Sequence, residues 1–397
     1  MGNETKRRID ADERRARLAV RHRLAGAARA DSAEAVAGSL VALHATDPAS
    51  VFLAVGARLS GQAGVEGPVR DLERALYEDR TLTRMHGMRH TIFVFPTDLT
   101  PAVHASTTRD VATRERAMLV KDLRKGSEYD EEWLAETERL LTAELAVRGE
   151  ATGAELGEAV PRLRVQYVYG IGTRQEGNQP LSSRLLRVLG MEGRIARGRP
   201  QGTWTSSRFR WRLTPQRPDP SDADAHAQLV RRWLATYGPA TEADLKWWTG
   251  WKVTDVRKAL AAIDAEAVEL TEGTGYVLPE DTAPVPDPEP WAALLPALDP
   301  TAMGWQHHDW YTDPAHKAAL YDRTGNIGPT VWWNGRVVGV WAQRPDGGIV
   351  HRLLSDVGAE AGAAIAAETE RLAGWVGDVR VTPRFRTPLE RELAAGG

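Results

Sequence analysis

The chain contains no cysteine in its 397 residues. Disulfides and thiolate metal sites are therefore excluded, and a reducing, cytoplasmic setting fits. No run of about 18 apolar residues occurs, so no membrane-spanning helix is expected. The N-terminal segment MGNETKRRIDADERRARL is charged and lacks an apolar core of signal-peptide length. A P-loop, a GxGxxG fingerprint, HExxH and GxSxG are all missing. The commonest phosphate-cradling, dinucleotide, zinc-protease and serine-hydrolase chemistries lose their signatures with them. His307-His308-Asp309 comes nearest to a metal-ligand group. Adjacent side chains on a strand point to opposite faces, so no metal and no other cofactor is expected.

What is present supports packed cores. The chain is 42% hydrophobic, and its length suits two to four domains. The net charge of -3 hides a strong asymmetry. Between Pro161 and Arg212 there are eleven arginines, among them Arg197, Arg199, Arg208, Arg210 and Arg212, against only Glu176 and Glu192. Guanidinium is a planar fork of donors that suits phosphate and base edges, so this segment reads as a nucleic-acid contact. A second basic segment is Arg84-Met85-His86-Gly87-Met88-Arg89-His90. Read as one strand, it puts Arg84, His86, Met88 and His90 on one face and Arg89 on the other, either probing a duplex or lying solvated at a sheet edge.

An internal repeat organises the chain. GEATGAELGEAV from Gly149 and GPATEADLKWWT from Gly238 share Gly-x-Ala-Thr-x-Ala-acid-Leu. Thr152 with Glu155, and Thr241 with Asp244, have capping-box spacing. Each box follows an amphipathic helix and opens a helix-helix-hairpin run, the order of a winged helix. A weaker copy lies upstream, with DERRARLAVRHRLAG as its first helix and Asp31-Ser32 as a cap pair. The expected fold class is α+β, predominantly α: tandem winged-helix modules with β-hairpin wings and a C-terminal α+β domain. The modules are expected at 1–125, 126–217 and 218–280. The proline-rich linker PEDTAPVPDPEP opens the last part, 281–397, in which Asn334-Gly335 predicts a type I′ turn.

LVALHATDPAS, Leu40 to Ser50, is the stretch with chemical content. An apolar, helix-like run ends in His44-Ala45-Thr46-Asp47 and is stopped by Pro48. The residue before proline disfavours the helical region, so the helix should end near Thr46 and Asp47 should be extended. His44 and Thr46 then face one side. Asp47 is either a third reactive group or the cap of a following helix that has Pro48 at its first position.

Several segments together resemble the winged-helix DNA glycosylases of the AlkZ and YcaQ type. They are LVALHATDPASVFLAVGARL, LTRMHGMRHTIFVFP, WLATYGPATEADLKWWTGW, LLPALDPTAMGW, DRTGNIGPTVWWNGRVVGVWAQR and VTPRFRTPLE, in family order over nearly the whole chain. The resemblance implies a base-excision enzyme that removes alkylated purines, including N7-alkylguanine, bulky adducts and interstrand crosslinks. In some members this serves self-resistance in antibiotic producers. It implies double-stranded DNA as partner, a monomer, and a cytoplasmic, nucleoid-associated location. The family motif, Gln-apolar-Gln or Gln-apolar-Asp with a following Asp-Pro, falls on His44-Ala45-Thr46 and Asp47-Pro48. His44, Thr46 and Asp47 are thus the candidate catalytic residues. Arg84, His86, Arg89, His90, Arg197, Arg199, Arg208, Arg210 and Arg212 are the candidate DNA contacts. Both polar motif positions differ from glutamine. A non-catalytic DNA-binding protein, a regulator or an adduct-binding factor, is the alternative.

Overall fold

A computed structural model of the chain describes residues 6–61, 67–215 and 218–396. The molecule is a mixed α+β protein, mainly helical, as the sequence leads one to expect. Three times among the described residues the chain runs helix, short strand, helix, helix and hairpin. Each time the sheet order is first strand, third, second.

The chain enters through α1 (Ala11–Arg21). The first unit is then α2 (Ala33–Ser39), β1 (Leu43–His44), α3 (Pro48–Gly56), α4 (Gly67–Glu73, continued by a π turn to Glu78), β2 (Leu82–His86) and β3 (Ile92–Pro96). Helices α5 (Thr100–Val103) and α6 (Arg109–Gly126) lead on. The second unit is α7 (Glu131–Arg148), β4 (Glu150–Thr152), α8 (Gly153–Ala159), α9 (Leu181–Met191), β7 (Ile195–Pro200) and β8 (Phe209–Leu213). An extra hairpin, β5 (Gln166–Tyr169) with β6 (Gly177–Pro180), sits between α8 and α9. The third unit is α10 (Asp222–Tyr237), β9 (Ala240–Thr241), α11 (Glu242–Thr249), α12 (Val253–Ala262), β10 (Glu266–Leu270) and β11 (Gly273–Val277).

Capping chemistry fixes where the second helix of each unit begins. Thr152 with Glu155, and Thr241 with Asp244, form reciprocal boxes, side chain to amide in both directions. Helix α3 uses Asp47 as its cap and Pro48 at its first turn.

Two expectations are corrected. The helix DERRARLAVRHRLAG does not start the first unit. Its α1 docks on the third unit instead: Ile9 packs with Val268, Leu270 and Val277, and Arg17 and Arg21 bind Asp281. The apolar run before His44 is not helical. Helix α2 stops at Ser39 because α10 takes its end carbonyls, Thr236 Oγ1 bonding Ser39 and the Tyr237 hydroxyl bonding Leu40. Val41 then turns the chain at φ 63°. A β-branched residue adopts that conformation only at a cost on the order of 1–3 kcal/mol, so the surroundings impose it.

The C-terminal part is a four-stranded antiparallel sheet, β12 (Ala292–Leu295), β13 (Thr330–Trp333), β14 (Arg336–Gln343) and β15 (Ile349–Leu353), in sequence order. Short α13 (Lys317–Leu320) precedes β13, and Asn334 and Gly335 turn β13 into β14 with positive φ at both. Helix α14 (Gly358–Val376) packs on the sheet through Ile365, Leu372 and Val376, and α15 (Pro388–Ala394) closes the chain. The second unit has its own core around Leu141, Leu156 and Leu185. Units one and three and the C-terminal sheet share another.

One buried ion pair ties that shared core together. Arg58, just past α3, makes two bonds to Asp299, at 2.6 and 2.9 Å, with both side chains fully buried. It also binds the His22 carbonyl and Thr301 Oγ1. Removing one partner strands a buried charge. We expect Asp299→Ala to cost about 3–5 kcal/mol in chemical denaturation, and joint replacement of Arg58 and Asp299 by apolar residues of similar volume to cost clearly less.

Candidate active site

The motif lies at the edge of the first unit's sheet. His44 pairs with Phe93 on β3, and the Ala45 amide continues the ladder to the Ile92 carbonyl. In the second and third units the last paired strand residue is itself the helix cap, Thr152 and Thr241. In the first unit Ala45 and Thr46 intervene between the last pair and the cap, Asp47. The motif is thus a local lengthening of a junction that the other two units make without spare residues.

His44 is 8% exposed, and its ring meets Phe93 edge-on at 4.9 Å. Burial first, and the charge of Arg89 second, bring its pKa down to about 4. The ring is therefore neutral at pH 7. Its Nδ1 is buried and has no hydrogen-bond partner among the described residues. The same holds for Thr46 Oγ1. Asp47 is differently committed. Oδ1 accepts from the Ala49 amide at 3.2 Å, and Oδ2 accepts from the Arg384 amide at 3.0 Å. It caps α3 and tethers the C-terminal segment, the structural one of the two roles expected of it.

The candidate DNA contacts divide sharply. Arg84 and His86 do not lie on an open strand face. They are 3% and 7% exposed, covered by the second unit's β7–β8 hairpin, and burial followed by neighbouring cations takes His86 to about 3. The strand ends at His86, and Met88–His90 is a tight turn with φ 51° at Arg89 and 61° at His90. His90 consequently does not share a strand face with Arg84. The β7–β8 hairpin is docked rather than free. Trp204, just beyond β7, packs on Phe52 of α3 at 5.2 Å and faces Trp375 at 6.2 Å. Arg199 pairs with Glu73 and Glu78 of the first unit, Arg210 pairs with Glu155, and Arg212 is buried. Arg208 stays exposed.

Arg89 and His90 do reach open space. They line a cleft of about 810 Å³ between the β2–β3 turn and the third unit, whose other walls carry both Arg114, Lys252 and Lys258 and Asp110, Asp222 and Asp255. The Arg89 guanidinium lies 4.3 Å from the Trp247 ring centre. Sequence reasoning missed Arg114, Lys252 and Lys258, which lie in or at the start of helical segments of mixed charge and come together only in the fold. It also missed Arg384, in the segment VTPRFRTPLE, whose amide and side chain reach Asp47 and Thr46 only in the fold. Among the described residues no three His, Asp or Glu side chains gather as metal ligands, and no helix is long and apolar enough to cross a membrane.

No curated protein sequence matches the chain. Among solved structures, Streptomyces sahachiroi DNA glycosylase AlkZ has the same fold, with a TM-score of 0.65 at 19% identity over 92% of this chain and 97% of that one. The family model described as DNA glycosylase AlkZ-like matches residues 37–375, from just before the motif through most of α14. The chain belongs to the AlkZ-like DNA glycosylase family.

Proposed function

We propose that the protein excises N7-alkylated purines from double-stranded DNA, with His44 and Thr46 orienting the attacking water. The observation that carries this reading is the pair of buried, unpartnered polar atoms, His44 Nδ1 and Thr46 Oγ1, two residues apart in the motif. Folded proteins leave few such atoms, and a bound water is the natural partner for each. We read the three repeated units as winged helices that carry the duplex, and the cleft beside Arg89 and His90 as room for a bulky adduct or an interstrand crosslink. Self-resistance to a DNA-alkylating natural product is the setting such substrates suggest.

The chemistry asks little of the protein. An N7-alkylated guanine is already cationic and leaves as a neutral base, while positive charge develops on the sugar. Neutral imidazole has one donor and one acceptor, and a threonine hydroxyl has both capacities, so the two can hold a water as amides do. A ring titrating near 4 is a weak base, so His44 acts by orientation more than by general-base catalysis. Keeping it neutral also removes a charge that would repel both the substrate and the developing oxocarbenium ion. The same weak basicity supports a second reading, an adduct-binding protein that does not cut.

Base release from a duplex carrying N7-methylguanine tests the choice. We expect His44→Ala and Thr46→Val each to lower the single-turnover rate about 10²-fold or more, a size known for one removed positioning or oxyanion-stabilising group. Equal release by wild type and both variants would remove the motif from the mechanism. Tight binding to modified duplex without release by the wild type would favour the non-catalytic reading.

Stability should also report the histidine. Its folded pKa of about 4 lies below the ordinary value of about 6.5. Between these values the unfolded chain binds more protons, so the stabilisation is complete above about pH 6.5 and is lost as pH falls toward 4. His86 acts in the same direction, down to about 3. We expect urea midpoints to fall from pH 7 to pH 4.5 and to fall less in His44→Gln, with ~3 kcal/mol as the ceiling for this one group. A pH dependence identical in the variant would refute the neutral, desolvated ring.

A further inference from the structure

Arginines in this protein are mostly neutralised. Arg199, Arg210, Arg116, Arg194 and Arg58 each face a carboxylate. Three others do not: among the described residues, Arg84, Arg197 and Arg384 have no carboxylate within ion-pair distance, and Arg384 touches the motif while Arg84 and Arg197 share the Phe209 ring. They come from three parts of the chain, namely β2, β7 and the segment before α15. Arg84 is 3% exposed, and all three of its guanidinium nitrogens are buried without a hydrogen bond, a state no other described arginine shares. Its guanidinium stands 4.3 Å from the centre of the Phe209 ring, and that of Arg197 stands 5.3 Å from the same ring. Arg384 is exposed. Its amide is fixed to Asp47, and its side chain donates to the Thr46 carbonyl at 3.3 Å. Arg197 lies within electrostatic reach of the other two, since burial first and then Arg84 and Arg384 hold it down to about 10.

A buried guanidinium with neither counter-charge nor acceptor is costly. Stacking on Phe209 offsets only part of that cost. Such a group is expected where an anion completes the site. We propose that Arg384, Arg197 and Arg84 form one phosphate-binding site at the edge of the His44–Thr46 motif, which takes a backbone phosphodiester of the DNA strand undergoing excision. Arg384 and Arg197 contact the phosphate, and Arg84 supplies fixed positive charge beneath them. Because Arg384 is tethered through Asp47 and Thr46, a phosphate held there sets the register of the strand against the water-holding atoms. Arg384 is a positioning residue. The inference rests on the glycosylase reading and adds to it which part of the substrate this corner grips.

Salt titrations of binding to a short unmodified duplex test it without requiring turnover. The set is wild type, Arg384→Gln, Arg197→Gln, their double variant, Arg84→Met, and Arg139→Gln on α7 as a remote control. Each lost phosphate contact should reduce the slope of log affinity against log salt by about 0.9, so the double variant should lose about 1.8 while the control keeps the wild-type slope. Arg84→Met should bind DNA more weakly and yet melt at the same temperature as the wild type or higher, because it removes an uncompensated charge. A buried arginine that serves structure alone predicts the reverse, a lower Tm with unchanged affinity, and that result would overturn the proposal. Unchanged slopes in both Gln variants, with the wild type still binding, would overturn the site and leave the glycosylase reading intact. A wild type without salt-dependent affinity for DNA would overturn both. Binding of inorganic phosphate at constant ionic strength, by a wild type that binds no duplex, would assign the site to a free anion and defeat the backbone assignment.

Discussion

The position of the motif depends on α3 being held at both ends by the C-terminal part of the chain. At its far end Arg58 meets Asp299 in a dry, doubly hydrogen-bonded pair, and Arg371 binds the carbonyls of Gly56 and Ala57. At its near end the cap, Asp47, takes the Arg384 amide. Every residue of α3 is buried, so the helix has no freedom to shift along its axis without breaking one of these anchors. A charge pair in that environment is a poor source of net stability, since desolvation consumes most of the attraction. What it supplies is geometric. Carboxylate and guanidinium satisfy each other in one arrangement, and that arrangement fixes where His44 and Thr46 begin.

The same logic explains why the charge map of the sequence misleads. Eleven arginines against two acids between Pro161 and Arg212 look like a phosphate-binding face. Their partners lie elsewhere in the chain. Glu73 and Glu78 come from the first unit, Glu155 from α8 and Glu138 from α7. Much of the segment's charge is therefore neutralised, inside the second unit at Arg194 and Arg210 and across to the first unit at Arg199. Of what survives uncompensated, Arg208 is exposed and Arg197 is partly buried over Phe209.

Features governed by neighbours in sequence were legible before the fold was known. The capping boxes at Thr152 and Thr241, the Asn334-Gly335 turn and Asp47 as cap with Pro48 behind it all depend on a few consecutive residues. Features decided by distant partners were not. Leu40 to His44 reads as helix, and becomes turn and strand because hydroxyls of α10 end α2 and β3 offers a ladder. Arg84 and His86 read as an exposed edge, and are buried because β7 and β8 close over them. The role of α1 likewise follows from Asp281 and the third unit's sheet.

On the glycosylase reading, substitution of both family glutamines narrows what the site can release. Burial and Arg89 keep His44 neutral and weakly basic, and Asp47 spends its carboxylate on two backbone amides. Neither a strong base nor an acid stands at the motif to drive a reluctant leaving group. A neutral lesion such as uracil leaves as an anion and needs such help, whereas an N7-alkylated purine carries its own positive charge and departs neutral. Orientation of a water, with a phosphate held in register by arginine, is then sufficient catalysis for cationic bases and insufficient for normal ones. Selectivity against undamaged DNA would arise from leaving-group chemistry and not from a tight pocket around the base, and an open cleft beside the hairpin turn is compatible with that division of labour.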